Sequence, residues 1–241
     1  MVRINKYLAR CNLGSRRKVE ELILAGKIKV NGRIITDLAT EISEDNDRIE
    51  FENKQIYAKN KMIYLMLNKP KGYLVTADDS FGRKTVFDLI PDFGIHLFPV
   101  GRLDLMSEGL LLLTSDGDFA DAIMHPKNKL PKLYKVEAKG YISNEKIGRL
   151  RSGVEINHYL TKPAKVFIKS RNQSKTVLKI TISEGKKRQI RYMIKEIGSE
   201  VMELKRLQIG DLRLGKLPTG AWRELTRSEI NSLKNNNMEN T

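Results

Sequence analysis

Four consecutive leucines, Leu110 to Leu113, constrain the fold of this chain more than any other stretch. The run is too short and too apolar to be anything but a core element, and the turn signal Asp116-Gly117 closes it. Asp104 stands shortly before the run and two positions after Arg102. A carboxylate held so near the core costs free energy unless it is paired or takes part in function. Asp104 is therefore either half of a structural ion pair with Arg102 or a functional group.

The order of the predicted elements favours an α+β fold with a mostly antiparallel mixed sheet. Strands and helices mix along the chain without the regular β-α-β alternation of a doubly wound fold. Alternating or continuous apolar patterns predict strands over residues 62–67, 73–76, 96–100, 133–138, 165–169, 176–182 and 201–207. Capping residues and apolar periodicity predict helices over residues 86–89, 119–124, 144–152 and 226 onward, with a further helix that begins at Gly185.

The N-terminal 57 residues form a small domain of two helices and a short sheet. Ile4, Tyr7, Leu8 and Cys11 have helical spacing, and Ser15 can cap a second helix that stops at Gly26. Asn31-Gly32 predicts a tight hairpin turn between two short strands. A polar linker at about residues 52–61 leads into a larger domain over residues 58–241, with a polar tail from about residue 235.

The charge balance indicates a polyanionic partner. The formal net charge is +15 and the pI is near 9.8, values that attract nucleic acid or an anionic membrane surface. Arg16, Arg17 and Lys18 crowd the start of a predicted helix, where positive charge opposes the helix dipole, so they suggest a phosphate-binding site. The cations do not line an amphipathic helix, and no run reaches the ~18 apolar residues that a spanning helix needs. The single cysteine and the absence of a signal peptide fit the reducing cytoplasm.

Several chemistries lack their sequence patterns here. The three histidines are scattered and have no metal-ligand spacing, so no metal site is expected. The phosphate loops of nucleotide hydrolases and dinucleotide-binding enzymes are absent, and no nucleophile-elbow motif supports a catalytic triad. What remains is Asp104 with arginine and tyrosine side chains in a strongly basic protein.

Two sets of motifs carry a resemblance to known families. The helical and hairpin segments Ile4–Ala9, Ser15–Ile23 and Gly26–Gly32 resemble the S4 RNA-binding domain. The rest of the chain contains four further motifs in order: Leu67–Gly72, Gly101–Asp104 with Ser107 and Gly109–Leu111, Lys132–Val136, and Glu184–Arg191. With these motifs it resembles the pseudouridine synthases of ribosomal RNA in which an S4 domain precedes the catalytic domain. Leu105, Met106, Glu108 and Tyr192 depart from the usual pattern beside the site.

The resemblance implies isomerisation of a uridine to pseudouridine, with no cofactor and no metal. Asp104 would initiate cleavage of the glycosidic bond, as nucleophile or as base, and both routes need an ionised carboxylate. Arg191 is the expected partner that keeps Asp104 ionised, and Tyr134 would stack on the base and take part in proton removal at C5. We expect the remaining cations of the motifs to contact RNA: Arg16, Arg17, Lys18, Lys69, Lys71, Arg102, Lys186, Lys187 and Arg188.

The expected partner is ribosomal RNA, free or in a pre-ribosomal particle, and the enzyme is expected to be a cytoplasmic monomer. Met124-His125-Pro126 and the basic stretch beside it resemble the group that modifies large-subunit RNA. The alternative is a non-catalytic S4-type RNA-binding or ribosome-assembly factor, against which the intact Asp104 argues.

Overall fold

The computed structural model describes residues 1–59, 61–77, 79–128 and 130–235, so the tail that the sequence predicts from about residue 235 lies almost wholly outside the described residues. The chain divides into two compact units. The N-terminal unit comprises Met1–Met62 and Asp92–Leu97, and the C-terminal unit comprises Ile63–Pro91 and Phe98–Thr241.

The N-terminal unit has two helices and two small antiparallel sheets. Its elements are β1 (Val2–Arg3), α1 (Ile4–Arg10), α2 (Arg16–Leu24), β2 (Ile28–Val30), β3 (Arg33–Ile35), β4 (Glu41–Ile42), β5 (Ile49–Phe51) and β6 (Lys54–Gln55). Strand β1 pairs with β4, and the second sheet has the order β3-β2-β5-β6. The predicted hairpin is present, because Asn31 and Gly32 both adopt the positive φ that its tight turn requires. The Ser15 hydroxyl accepts a hydrogen bond from the Lys18 N–H and so caps α2, as predicted.

The C-terminal unit is built on one large mixed sheet. Its first elements are β7 (Tyr64–Lys69), a 3₁₀ helix (Val86–Leu89), β8 (Phe98–Val100), β9 (Glu108–Thr114), α3 (Gly117–Met124), a 3₁₀ turn (Pro126–Asn128), β10 (Lys132–Lys139) and α4 (Asn144–Ser152). They are followed by β11 (Glu155–Ile156), β12 (Tyr159–Leu160), β13 (Lys165–Arg171), β14 (Lys175–Ile182), α5 (Gln189–Glu196), β15 (Val201–Ile209), β16 (Leu212–Arg213), β17 (Trp222–Glu224) and α6 (Arg227–Asn235).

The sheet order is β13-β14-β10-β15-β9-β7-β17, with β16 beside β15 and β8 beside β9. Only the β9–β15 contact is parallel among the strand pairs of the described residues, which confirms the predicted mostly antiparallel mixed sheet. Leu110 to Leu113 form the middle of β9 and are fully buried, as expected of a core strand. Leu110 and Leu112 belong to one buried core cluster with Phe119 of α3 and Leu233 of α6. This core fixes β9 and thereby the loop that precedes it.

Two predicted elements differ in the structure. Residues 73–76 do not form a strand beside β7, because β9 and β17 already occupy the two edges of β7. Leu74 instead makes a single bridge to Thr85. The helix expected from Gly185 begins only at Gln189, after Arg188 adopts a left-handed conformation with φ of 55°. Lys186, Lys187 and Arg188 therefore precede the helix, and of the four cations only Arg191 lies within its first turn.

Candidate active site

Asp104 lies in the loop between β8 and β9, where the backbone forms a tight turn. The Ser107 N–H donates to the Asp104 carbonyl at 2.9 Å and closes a turn over residues 104–107, which we call the Asp104 turn. The Gly72 N–H donates to the Leu105 carbonyl, also at 2.9 Å, and ties the turn to the loop after β7. The Asp104 side chain is partly exposed, so its carboxylate can meet a substrate.

Lys69 holds the turn from beneath. This last residue of β7 is fully buried, and its ammonium donates to the carbonyls of Asp104 and Leu105 at 3.3 Å, of Ser107 at 2.9 Å and of Pro70 at 3.0 Å. Burial lowers the pKa of Lys69 to about 8, against the opposing effect of Asp104 and Glu108. The prediction that Lys69 contacts RNA is wrong, because none of its side chain reaches the surface. Lys69 fixes the backbone that carries Asp104.

Arg191 of α5 holds the turn from the other side. Its Nε lies 3.6 Å from Asp104 Oδ2, and its Nη2 donates to the Met106 carbonyl at 3.2 Å and to Ser107 Oγ at 3.3 Å. Burial lowers the pKa of the Arg191 guanidinium, an effect that the neighbouring Asp104 opposes. The guanidinium remains charged, because an arginine in a protein does not lose its proton. The structure thus brings together Asp104 and the arginine that the sequence singled out as its partner.

Tyr134 lies in the sheet that underlies this loop. It is buried in β10, with Ile180 of β14 opposite on one side and Arg206 of β15 on the other. Arg206 pairs in turn with Gly109 of β9, so the backbones of Tyr134 and Gly109 are two strand spacings, or about 10 Å, apart. This register places Tyr134 on β10, two strands away from β9, the strand that follows the Asp104 turn.

Arg102 is exposed in the loop after β8. Arg102 and Asp104 do not lie on one strand, because β8 ends at Val100 and Gly101 turns the chain with a φ of 76°. The contact of Arg102 with RNA stays a prediction.

The other predicted RNA-binding cations lie at the surface of their own units. Arg16, Arg17 and Lys18 are exposed in the first turn of α2, and Lys186, Lys187 and Arg188 are exposed before α5. Lys18 pairs with Glu21 at 3.1 Å, and Lys71 pairs with Glu203 at 2.9 Å. Their contacts with RNA stay predictions.

Arg206 is a residue that the sequence reasoning missed. Its side chain is only 3% exposed, and its Nε donates to the Leu110 carbonyl at 2.7 Å. Glu108 and Gly109 of β9 pair with β15, and Leu112 of β9 pairs with β8. The Leu110 carbonyl lies between these two pairings. Arg206 therefore supplies a donor at the junction of two strand pairings. A charged residue within the apolar pattern of residues 201–207 was the signal that could have found it.

Gly109 permits that junction. It has a φ of 104°, and a Cβ at this position would lie 2.2 Å from the Arg206 carbonyl oxygen.

Lys132 is the first residue of β10, two positions before Tyr134. Burial and the charge of Arg206 lower the pKa of Lys132 to about 8. The sheet beneath the site is thus rich in buried positive charge.

Within the residues that the structure describes, no group of three or more His, Cys, Asp and Glu side chains could hold a metal ion. No helix of the described part has the length and apolar character to cross a membrane.

Comparisons with known proteins agree with the geometry. The RNA pseudouridylate synthase family matches residues 63–196, and the S4 domain family matches residues 2–49. An uncharacterized RNA pseudouridine synthase of Aquifex aeolicus is 41% identical over 96% of this chain and 93% of its own length. Ribosomal large subunit pseudouridine synthase B of Bacillus subtilis is 39% identical, over 97% of this chain and 96% of its own.

A solved structure agrees as well. A crystal structure of a pseudouridylate synthase is 32% identical and has a TM-score of 0.70, covering 97% of this chain and all of that one. The match spans both units, and Asp104, Tyr134 and Arg191 all lie within residues 63–196, which the enzyme family matches. This chain is an RNA pseudouridine synthase of the family whose catalytic domain follows an S4 domain.

Proposed function

We propose that the enzyme converts a specific uridine of large-subunit ribosomal RNA to pseudouridine, with Asp104 as the group that initiates the reaction. The observation that carries this proposal is the Asp104 turn, whose carboxylate stands beside Arg191 and whose backbone is held by Lys69. The choice of large-subunit RNA rests on the relative from Bacillus subtilis, which acts on that subunit by its name and matches nearly the whole chain.

The reaction is an isomerisation in which atoms and electrons balance within the nucleotide. The C1′–N1 bond breaks, the uracil rotates, a C1′–C5 bond forms, and the proton on C5 is removed while N1 gains one. Asp104 acts at the sugar, as nucleophile at C1′ or as base, and in either role its carboxylate must be ionised. Arg191 supplies the opposite charge beside it, with its Nε 3.6 Å from Asp104 Oδ2.

Tyr134 takes the other half of the chemistry in this proposal. Its ring is an apolar surface on which the detached uracil stacks, and its hydroxyl can relay the C5 proton by passing on its own proton as it takes that one. The partly exposed Lys71 and seven exposed cations bind the RNA backbone: Arg16, Arg17, Lys18, Arg102, Lys186, Lys187 and Arg188. One copy of the chain suffices, since Asp104, Tyr134 and Arg191 all belong to the C-terminal unit. We therefore propose a cytoplasmic monomer that acts on ribosomal RNA, free or in a pre-ribosomal particle.

The test is complementation of a deletion strain with the wild-type gene or with the Asp104→Asn variant, followed by carbodiimide mapping of pseudouridine in total ribosomal RNA. We expect wild type to restore a large-subunit pseudouridine and Asp104→Asn to restore none, because the amide cannot act as nucleophile or base. The purified variant should keep its RNA affinity, since its shape is nearly unchanged. Full activity of the variant would sink the assignment of Asp104. If the deletion strain keeps every pseudouridine but contains abnormal ribosomal particles, the result would favour an assembly factor.

A further inference from the structure

Leu105 and Met106 form an apolar tip on the Asp104 turn. They are the two central residues of the turn, and their side chains are 41% and 54% exposed. The flanking residues Leu103 and Ser107 are 8% and 1% exposed, so the tip stands out from a buried base. Exposed apolar side chains occur elsewhere on this chain, so the place of this pair beside Asp104, rather than its exposure alone, makes it a candidate contact for the substrate.

The backbone of the tip is fixed although its side chains are free. The Leu105 carbonyl accepts from the Gly72 N–H at 2.9 Å and from Lys69 at 3.3 Å. The Met106 carbonyl accepts from Arg191 at 3.2 Å. Exposure of the tip is therefore a feature of a tied turn and not of a loose loop, and little ordering entropy is lost when a ligand meets it.

The surroundings of the tip select the ligand. Asp104 is the next residue along the chain, and consecutive Cα atoms are about 3.8 Å apart, so the tip adjoins the reacting carboxylate. The exposed Arg102 lies in the same loop, and the partly exposed Lys71, which pairs with Glu203 at 2.9 Å, lies in the loop that Gly72 ties to the turn. The chain as a whole has a formal charge of +15. A ligand with apolar faces and a negatively charged backbone fits an apolar tip beside cations, and a nucleic acid strand has both.

We propose, resting on the function proposed above, that Met106 with Leu105 is a wedge that enters the base stack of the RNA where the target uridine leaves it. A uridine that reacts at Asp104 must first be extruded, and unstacking costs a few kcal/mol per base step. Apolar side chains inserted between base steps are a known means of meeting that cost, because they cover the base faces that extrusion uncovers. Both are positioning residues, since they touch the neighbours of the reacting nucleotide.

The experiment uses a stem-loop RNA that contains the mapped uridine, base-paired, with 2-aminopurine as its 3′ neighbour. Fluorescence of 2-aminopurine rises when it loses its stacked neighbour, so it reports extrusion directly. Binding is measured in the Asp104→Asn background, where no reaction follows. Turnover is measured with Asp104 intact, on this probe and on a single-stranded probe whose uridine is already unstacked.

We expect Met106→Ala, and more so Leu105→Ala with Met106→Ala, to suppress the fluorescence rise and to lower kcat/KM on the base-paired probe about tenfold or more. On the single-stranded probe the same variants should react like wild type, because no stack has to be opened. Met106→Leu should restore both signals, because it keeps the apolar volume. Phe167→Ala is the matched control: Phe167 is 60% exposed on β13, which is four strands away from β9 in the sheet.

The outcomes separate this proposal from the one on which it rests. If wild type forms pseudouridine but the double variant keeps full fluorescence and turnover, the wedge is overturned and the isomerase stands. An equal loss of turnover on both probes would also overturn it, since the tip would then act as a general RNA contact. If wild type modifies no uridine, both proposals fail together.

Discussion

Lys69 is a charged residue whose position in a basic turn suggested the surface, yet it is fully buried beneath the Asp104 turn. Replacement by Met keeps the bulk and removes the donor to four carbonyl oxygens. We expect Lys69→Met to fold, with an unfolding free energy lower by about 2 kcal/mol. Buried carbonyls that lose their donor destabilise the fold by more than the removal of a buried ammonium stabilises it. Turnover should fall by about 100-fold, since a shift near 1 Å at a reacting group has that effect. Urea denaturation and single-turnover kinetics on the stem-loop measure the two quantities.

Lys71 provides the contrast at the same scale. It lies two residues further along and pairs with Glu203 in a partly exposed position. Lys71→Met should change KM more than kcat, because it removes a backbone contact of the RNA and leaves the turn intact. Equal kcat losses in the two variants would mean that Lys69 has no special part in holding the turn.

The contact between β9 and β15 is the element-scale feature on which the site depends. It is a parallel pairing of two residues on each strand, and Gly109 allows the close approach. We expect Gly109→Ala to lower the unfolding free energy by about 3 kcal/mol or more, because positive-φ strain adds to a clash of the new Cβ at 2.2 Å from a backbone oxygen. Gly215→Ala is the control: it has a φ of 60° and open space around the Cβ position, so it should cost only about 1–2 kcal/mol. Similar losses in guanidinium melts of both variants would show that strain alone, without the strand contact, sets the cost.

The elements that could be predicted from sequence are those fixed by neighbouring residues. Caps at Ser15, Thr85, Ser143 and Thr226 are all present, because a hydroxyl reaches only N–H groups two or three residues ahead. The path of residues 73–76 was not predictable in this way, since it depends on β17 occupying an edge of β7 from about 150 positions further along the chain.

The same distinction holds within the site. The pairing of Asp104 with Arg191 could be inferred from the family motifs, because one motif contains Asp104 and another contains Arg191. The burial of Lys69 and the role of Arg206 could not, because both side chains meet carbonyls that are remote in sequence. A cation in a loop or an alternating strand is usually exposed, and only the packed sheet removes these two from water.

At the scale of the whole molecule, positive charge is placed where it works against helix stability. The first turn of α2 holds Arg16, Arg17 and Lys18 and no acidic residue. Such charges each destabilise a helix by about 0.3–1 kcal/mol through the macrodipole. We expect the triple alanine variant to raise the unfolding free energy by about 1 kcal/mol while RNA affinity falls. The expected slope of log affinity against log salt is shallower by about 2 to 3, because each phosphate contact contributes about 0.7 on a single strand and about 0.9 on a duplex.

A second triple variant separates local placement from total charge. Lys139, Lys165 and Lys169 are exposed on β10 and β13, and their replacement by Ala also removes three positive charges. Because these lysines lie on strands, no helix dipole opposes them, so stability should change little, and the salt slope should stay near the wild-type value. Filter binding of the stem-loop between low and moderate salt measures the slope for all three proteins. The same slope change in both triple variants would mean that net charge alone attracts the RNA. The assignment of α2 as a phosphate-binding element would then be wrong.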